Sequence, residues 1–333
     1  MKKAIQITVG LLLSALFAYL AVKDIQWDKF FETLRTDKQW WYLLPAVIAF
    51  MYSYYPRAIR WGYFLEPIKK VDTHPLFSGI MIGYMGNNVL PMRLGEFLRA
   101  YSLNRSTGIS KSAGLATVVV ERLVDSLGMM VFLLIAIFFS PIPTRYRMMI
   151  ALIGLVSFGA LSFLVGMTFF EKHTTKFLDK IYSILPEFLS RRMNSITQSF
   201  IEGLAGLKQT HNYWKIIFQT LVIWTFFAIS TYFMLLAFNF DDLYGMGFIS
   251  GIVVFLIGAL GVVIPSSPGY VGTFHYVIIQ ALAIFGVPNE AALGFAIVIH
   301  LMNYLPVTFL GLFYFIREGF RFKEIQETAE QEV

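Results

Sequence analysis

The chain contains no cysteine, which excludes disulfides and thiolate-held metals and leaves the redox compartment undetermined. Its five histidines are scattered, with no HExxH or comparable ligand spacing, so no metal site is expected. A Walker sequence is also missing, and ATP is therefore not expected as the direct energy source. Neither a nucleophile motif nor a sugar-nucleotide motif is present, so no catalytic residue is assigned and no cofactor is expected. Charge is scarce as well. Only 14% of residues are Asp, Glu, Lys or Arg, against about 25% in a typical soluble domain. The net charge of +6 sits mostly in polar gaps, where anionic lipid headgroups would meet it, and nucleic acid is not expected as a partner.

What the chain does contain is apolar sequence: 57% of its 333 residues are hydrophobic and 17% aromatic. Runs near 20 residues recur, the length needed to cross a bilayer as a helix. The expected class is an all-α polytopic membrane protein with about six full transmembrane helices and two re-entrant helical hairpins in an inverted repeat. The apolar run Ala4–Val22 after Met1-Lys-Lys is long for a signal peptide and lacks a small-residue cleavage site, so it reads as a retained first helix. Residues 1–39 then comprise that helix and a short interfacial segment with Trp27, Phe30, Phe31 and Leu34 at helical spacing.

A first repeat is expected over 40–170, with a helix over Trp40–Leu65, a hairpin over 76–107, a helix near Ser112–Ser140 and another near Met148–Phe170. An amphipathic cytoplasmic linker occupies 171–212 and a second repeat 213–316, with full helices near Tyr213–Phe240 and Glu290–Ile316 and its own hairpin over 247–286. A soluble cytoplasmic tail covers 317–333. Leu76–Leu90 is too short to span, and Pro91 lacks the N–H that helix continuation requires. Two half-helices meeting at Asn87–Gly95 are the expected result, because irregular backbone survives at membrane depth only where protein or a wet cavity covers it. The second break is expected at Ile264–Gly272, the sequence IPSSPGYVG.

Lys and Arg are denser in alternate gaps: Lys69, Lys70, Arg105, Lys111 and the 171–212 stretch on one side, against Lys23, Lys29, Arg35, Lys38, Arg145 and Arg147 on the other. The positive-inside rule then places both termini in the cytoplasm of an integral inner-membrane protein. With that orientation the first hairpin enters from the cytoplasm and the second from outside. Such inversion is how secondary transporters hold a polar site near the midplane.

The chemistry-bearing residues concentrate at the two breaks. Arg93, Glu96 and Arg99 follow one another at i, i+3, i+6, and two guanidinium forks suit phosphate oxygens. Arg93 and Arg99 with Asn87 and Asn88 make a candidate headgroup subsite and Glu96 a charge-balancing or proton-coupled group, although pairing of the same charges with the following helix is the simpler alternative. An ionisable cluster inside a membrane segment favours the functional reading. Glu121, Arg122 and Asp125 lie within one helical turn, either neutralising Arg93 or Arg99, coupling a proton, or pairing among themselves. At the second break Ser266 and Ser267 are candidate headgroup ligands, and His275 can titrate near neutral pH or serve as a hydrogen-bonded structural residue. Pro91, Gly95, Pro265, Pro268, Gly269 and Gly272 set hairpin geometry, and Arg60, Tyr270, His300 and Asn303 are candidate cavity walls.

The segments GNNVLPMRLGEFLRAYSL, VVVERLVDSLG and PSSPGYVGTFH resemble the lysylphosphatidylglycerol synthase transmembrane-region family. The resemblance rests on Asn88, Pro91, Arg93, Gly95, Glu96 and Arg99, on Glu121-Arg122 with Asp125, on Arg60-Trp61, and on Pro268-Gly269 with Gly272. It implies a flippase-like membrane domain that moves, or helps to move, an amphiphilic lipid between leaflets. No aminoacyl-transfer domain follows Ile316, so lysyl transfer is not expected of this chain. Many relatives carry an acidic residue where His275 stands. The expected ligands are membrane lipids with anionic headgroups. The rival readings are an intramembrane enzyme acting on a lipid phosphate or polyprenyl-phosphate glycolipid, and an accessory subunit for a lipid-modifying enzyme. Homo-oligomerisation is left open.

Overall fold

A computed structural model describes residues 2–36, 38–90, 94–139, 212–263 and 267–320, with Met148, Gly159, Leu178, Tyr182 and Ser190 as isolated positions. The helix expected over Met148–Phe170, the amphipathic linker and most of the tail lie outside these residues. Every regular element among the described residues is helical: α1 (Lys2–Val22), α2 (Trp27–Arg35), α3 (Leu43–Tyr52), α4 (Tyr54–Leu65), α5 (Thr73–Val89), α6 (Gly95–Thr107), α7 (Lys111–Phe139), α8 (Tyr213–Ala237), α9 (Phe240–Tyr244), α10 (Phe248–Val263), α11 (Thr273–Ala283) and α12 (Asn289–Arg317). Short 3₁₀ turns fall at Trp40–Tyr42 and Pro268–Tyr270. Three described helices, α7, α8 and α12, are long and apolar enough to cross a membrane.

Two boundaries differ from expectation. The single helix over Trp40–Leu65 is a 3₁₀ turn followed by α3 and α4, interrupted at Ser53. The Ser53 hydroxyl donates to the Phe50 carbonyl at 2.6 Å, a back-bond that bends helices. Pro56 has no N–H for the Tyr52 carbonyl and its ring crowds that oxygen. The first break is also narrower than Asn87–Gly95. Helix α5 runs through both asparagines to Val89, and Leu90 turns out at φ −93°, ψ 147°, the extended conformation favoured before proline.

Each break separates two arms that fold back on one another. Helices α5 and α6 press together at Gly95, where an added Cβ would overlap the Gly83 carbonyl oxygen and the Asn87 backbone nitrogen. Helices α10 and α11 pack through Gly258 and Gly261 against Ile278 and Val277. Between those arms the chain turns at Gly269 (φ 72°) and Gly272 (φ 84°), left-handed conformations that glycine adopts without a Cβ penalty. Helix α1 closes over this second turn: the Ser267 N–H donates to Ser14 Oγ at 2.7 Å.

Contacts between loops define the two ends of the bundle. At one end Lys69 Nζ donates to the Thr107 carbonyl at 2.7 Å and Arg105 Nη2 to the Gly319 carbonyl at 3.3 Å. At the other, Gln39 Nε2 donates to Asn239 Oδ1 at 3.0 Å and the Gln26 N–H to Glu290 Oε1 at 3.3 Å. The α5–α6 arms open toward the first end. The α10–α11 arms open toward the second.

Candidate functional site

The most unfavourable inventory in an apolar bundle is a set of buried charges, and α4, α6 and α7 bring five of them together. Arg57 is 3% exposed, Arg60 0%, Arg99 2%, Glu121 0% and Asp125 9%. Spacing explains the convergence. Arg57 and Arg60 are three apart on α4, and Glu121 and Asp125 four apart on α7, so each pair presents one face. Arg57 Nη1 donates to Glu121 Oε1 at 2.8 Å and to Asp125 Oδ2 at 2.7 Å. Arg60 Nη2 reaches Asp125 Oδ1 at 2.6 Å while its Nη1 donates to Thr220 Oγ1 at 2.8 Å. Arg99 grips Glu121 with both terminal nitrogens, at 3.1 and 2.6 Å. Its guanidinium also stacks on Trp61, 3.8 Å from the ring centroid, a favourable cation–π arrangement when desolvated.

Three guanidinium groups against two carboxylates leave one net positive charge in the buried set. The neighbouring Arg122–Glu96 pair, at 3.2 Å and partly exposed, adds no net charge. Arg99 therefore has the simpler role open to it from the sequence: it pairs with the helix that follows rather than standing clear to receive a phosphate. Arg60, expected as a cavity wall, is a correction. It is sealed inside the ion cluster because a guanidinium in an apolar bundle goes to the nearest carboxylate. Arg57 was missed as a site residue. Its signal was present, since two arginines three residues apart in an otherwise apolar helix need acidic partners on a facing helix.

A cavity of about 150 Å³ lies next to this cluster, between the two broken pairs. Tyr84 and Asn88 of α5 line one side, and Tyr270 and Phe274 of the second break line the other. Helix α12 contributes His300, Asn303 and Tyr304, and Tyr54 of α4 completes the lining toward the ion cluster. Tyr54 and Tyr84 meet edge to face at 5.0 Å, and the Arg57 guanidinium carbon lies 5.9 Å from the centroid of the Tyr84 ring. A layer of tyrosine thus separates the charges from the cavity.

The breaks approach each other at the cavity edge. Tyr304 Oη donates to the Asn88 carbonyl at 3.4 Å, and Asn88 Nδ2 donates to Thr308 Oγ1 at 2.8 Å. An added Cβ at Gly269 would lie 3.5 Å from that same carbonyl. His275 and His300 join α11 to α12 through Nε2 and Nδ1, 3.2 Å apart, and the Gly272 N–H donates to His275 Nδ1 at 3.3 Å. With Nδ1 accepting, the remaining proton of a neutral His275 sits on Nε2 and points at His300. Asn303 Oδ1 is buried with no hydrogen-bond partner among the described residues, and so is Asn87 Oδ1.

The other expected site residues divide simply. Tyr270, His300 and Asn303 line the cavity. Ser267 is bound through its backbone to Ser14, away from any ligand role for that N–H. Pro91, Arg93, Pro265 and Ser266 lie outside the described residues. No group of three His, Cys, Asp or Glu side chains suited to a metal occurs among the described residues.

Sequence comparison decides the lineage. The profile of the family described as lysylphosphatidylglycerol synthase TM region matches residues 7–311. The chain belongs to that family. Similar proteins include a UPF0104 membrane protein of Methanothermobacter thermautotrophicus, 25% identical over 82% of this chain and 82% of the relative. A UPF0104 membrane protein of Methanocaldococcus jannaschii is 24% identical over 91% of this chain and 92% of its own length. No solved structure matches. The chain is accordingly a membrane protein with several apolar helices.

Proposed function

We propose that the protein holds the headgroup of an anionic, phosphate-bearing lipid between two re-entrant helix pairs and moves that lipid between leaflets. The observation that carries the reading is a cavity walled by both broken pairs at once. Supporting it, the α5–α6 and α10–α11 arms open toward opposite ends of the bundle, the arrangement expected of an inverted repeat with a central site. Turning backbone is tolerated at membrane depth where it borders such a cavity.

Anion preference comes from the ion cluster behind the tyrosine layer. A monoanion about 10 Å from one net positive charge gains about 1.7 kcal/mol at an effective dielectric of about 20. Arg99 acts through this field and does not touch the ligand. Arg93, which adjoins the first break in the sequence, is the proposed phosphate ligand, with Asn88 beside it in the chain. The acyl chains stay in the bilayer while the headgroup crosses. The membrane is the cell membrane, with both termini cytoplasmic.

Reconstitution tests this directly. Proteoliposomes carrying headgroup-labelled phospholipids are expected to expose inner-leaflet label to an impermeant quencher faster than protein-free vesicles. Equal rates for every phospholipid tested would end the proposal.

A further inference from the structure

The second break holds two histidines to which the lipid site gives no task. His275 of α11 and His300 of α12 are both half-buried, and His300 lines the cavity. Their ring centroids lie 4.7 Å apart, with His275 Nε2 3.2 Å from His300 Nδ1. The Gly272 N–H donates to His275 Nδ1 at 3.3 Å, and a backbone hydrogen bond joins His300 to Gly269. Gly269 and Gly272 are the left-handed glycines of the turn. The ring pair thus ties both ends of that turn to α12.

A neutral imidazole has one donor and one acceptor nitrogen, whereas a protonated one has two donors. With both rings neutral every one of these bonds is made: His275 accepts at Nδ1 and donates from Nε2, and His300 accepts at Nδ1 and keeps its own proton on Nε2. One added proton has no place without a loss. On His275 Nδ1 it opposes the Gly272 N–H. On His300 Nδ1 it opposes the proton of His275 Nε2, unless that proton moves to Nδ1, where it again opposes Gly272. A hydrogen bond with an ionised partner is roughly twice as strong as a neutral one, so the ring-to-ring bond is kept and the bond to Gly272 is given up. That turn is a wall of the cavity through Tyr270 and Phe274, and α1 clasps it at Gly272 with the Ser14 carbonyl and the Ala18 nitrogen.

The surroundings from each packed helix are mostly aromatic. Tyr304 and Phe274 place their rings 5.8 and 5.3 Å from that of His300. Tyr270, Tyr54 of α4 and Tyr84 of α5 line the same cavity, with the ion cluster behind the last two, and α3 contributes Phe50. Tyr276 of α11 packs on Phe17 of α1. Helix α1 carries charge only at Lys2 and Lys3, and α10 has no titratable residue. Glu290 lies ten positions before His300. Helix α2, with Asp28, Lys29, Glu32 and Arg35, meets α12 through Leu34 at Gly294. His74 of α5 sits beside Tyr314, toward the other end of α12.

We infer that His275 and His300 form a one-proton site: a proton entering from the cavity breaks the bond to Gly272 and frees the second turn, coupling movement of the cavity wall to proton uptake. The link to transport rests on the lipid-handling reading above. The closed turn takes no proton and the freed turn takes one, so acidification favours release.

Val271 is exposed in the turn, and the chain has no cysteine of its own, so a nitroxide on Val271→Cys reports the turn alone. In phosphatidylglycerol nanodiscs it is expected to become more mobile, with a one-proton slope, as the pH falls from about 8 to about 4, a range wide on both sides of histidine's ordinary value of about 6.5. His275→Asn in the same background keeps an oxygen for the Gly272 N–H and cannot titrate, and the transition is expected to vanish. If that variant does not fold, His275→Gln serves with the same expectation. A spectrum indifferent to pH, or a transition that survives loss of His275, would overturn the proton site. Transfer of headgroup-labelled phosphatidylglycerol in proteoliposomes is expected to change about fivefold across the same range, the size that follows from one hydrogen bond, and to lose that dependence in His275→Asn. A transition at Val271 with transfer that ignores pH would overturn the coupling. The transition without transfer of any phospholipid keeps the proton site and ends translocation, whereas pH-independent transfer without the transition does the reverse.

Discussion

Glu121 accepts from both Arg57 and Arg99 and is fully buried, so its charge cannot be removed quietly. Glu121→Gln leaves three arginines facing Asp125 alone. Breaking a buried pair from one side typically costs about 3–5 kcal/mol, and a Tm drop of that order is expected in detergent, with Arg99→Met in the same chain recovering part of it. Arg122→Gln is the contrast. Its pair with Glu96 is partly exposed, where such pairs contribute about 0–1 kcal/mol, so thermal stability should change little. Comparable losses from the two single substitutions would refute the division into a buried cluster and a peripheral pair. Much of this was legible in the sequence, because Glu121, Asp125 and Arg99 stand out in apolar surroundings. Their pairing was not. Whether a guanidinium meets a carboxylate or waits for a ligand depends on helix rotation, which spacing along one helix does not fix. Arg57 is the clearest case, since only the facing of α4 and α7 separates it from an interfacial arginine.

At the level of helices, the breaks were legible from Pro91 and from IPSSPGYVG, because proline and glycine act locally. The finer limits depended on tertiary contacts. Helix α5 continues through Asn87 and Asn88 because Asn88 is held by Thr308 and Tyr304 of α12, a partner more than two hundred residues away. The interruption at Ser53 had its one local signal in Pro56, set inside a run otherwise long enough for a single helix. Close packing of the first pair rests on Gly95, and Gly95→Ala tests it. The new methyl would strike backbone atoms of α5, which cannot move aside as a side chain can. Overpacking of this kind costs about 1–3 kcal/mol or more. The expected result is a lowered Tm and loss of lipid transfer. Gly247→Ala, where an added Cβ meets nothing within 4 Å, should stay within about 0.5 kcal/mol of the parent. Equal tolerance of both would mean the α5–α6 contact is not required.

For the whole molecule, the decisive property is which end of the bundle each broken pair faces. Charge bias in the gaps and the loop contacts agree on a division: Lys69, Thr107 and Gly319 at one end, Gln39, Asn239 and Glu290 at the other. If the bilayer lies between those ends, Ser110 between α6 and α7 and Asn289 at the start of α12 sit on opposite sides of the membrane. Both are exposed, and the chain has no cysteine of its own, so single substitutions report without background. An impermeant maleimide added to intact cells is expected to label Asn289→Cys and spare Ser110→Cys, with the pattern reversed in inside-out vesicles. Labelling of both positions from the same side would destroy the inverted arrangement. The headgroup could then no longer be offered to the two leaflets by two pairs of opposite sense, and translocation would lose its structural basis even if the cavity bound lipid.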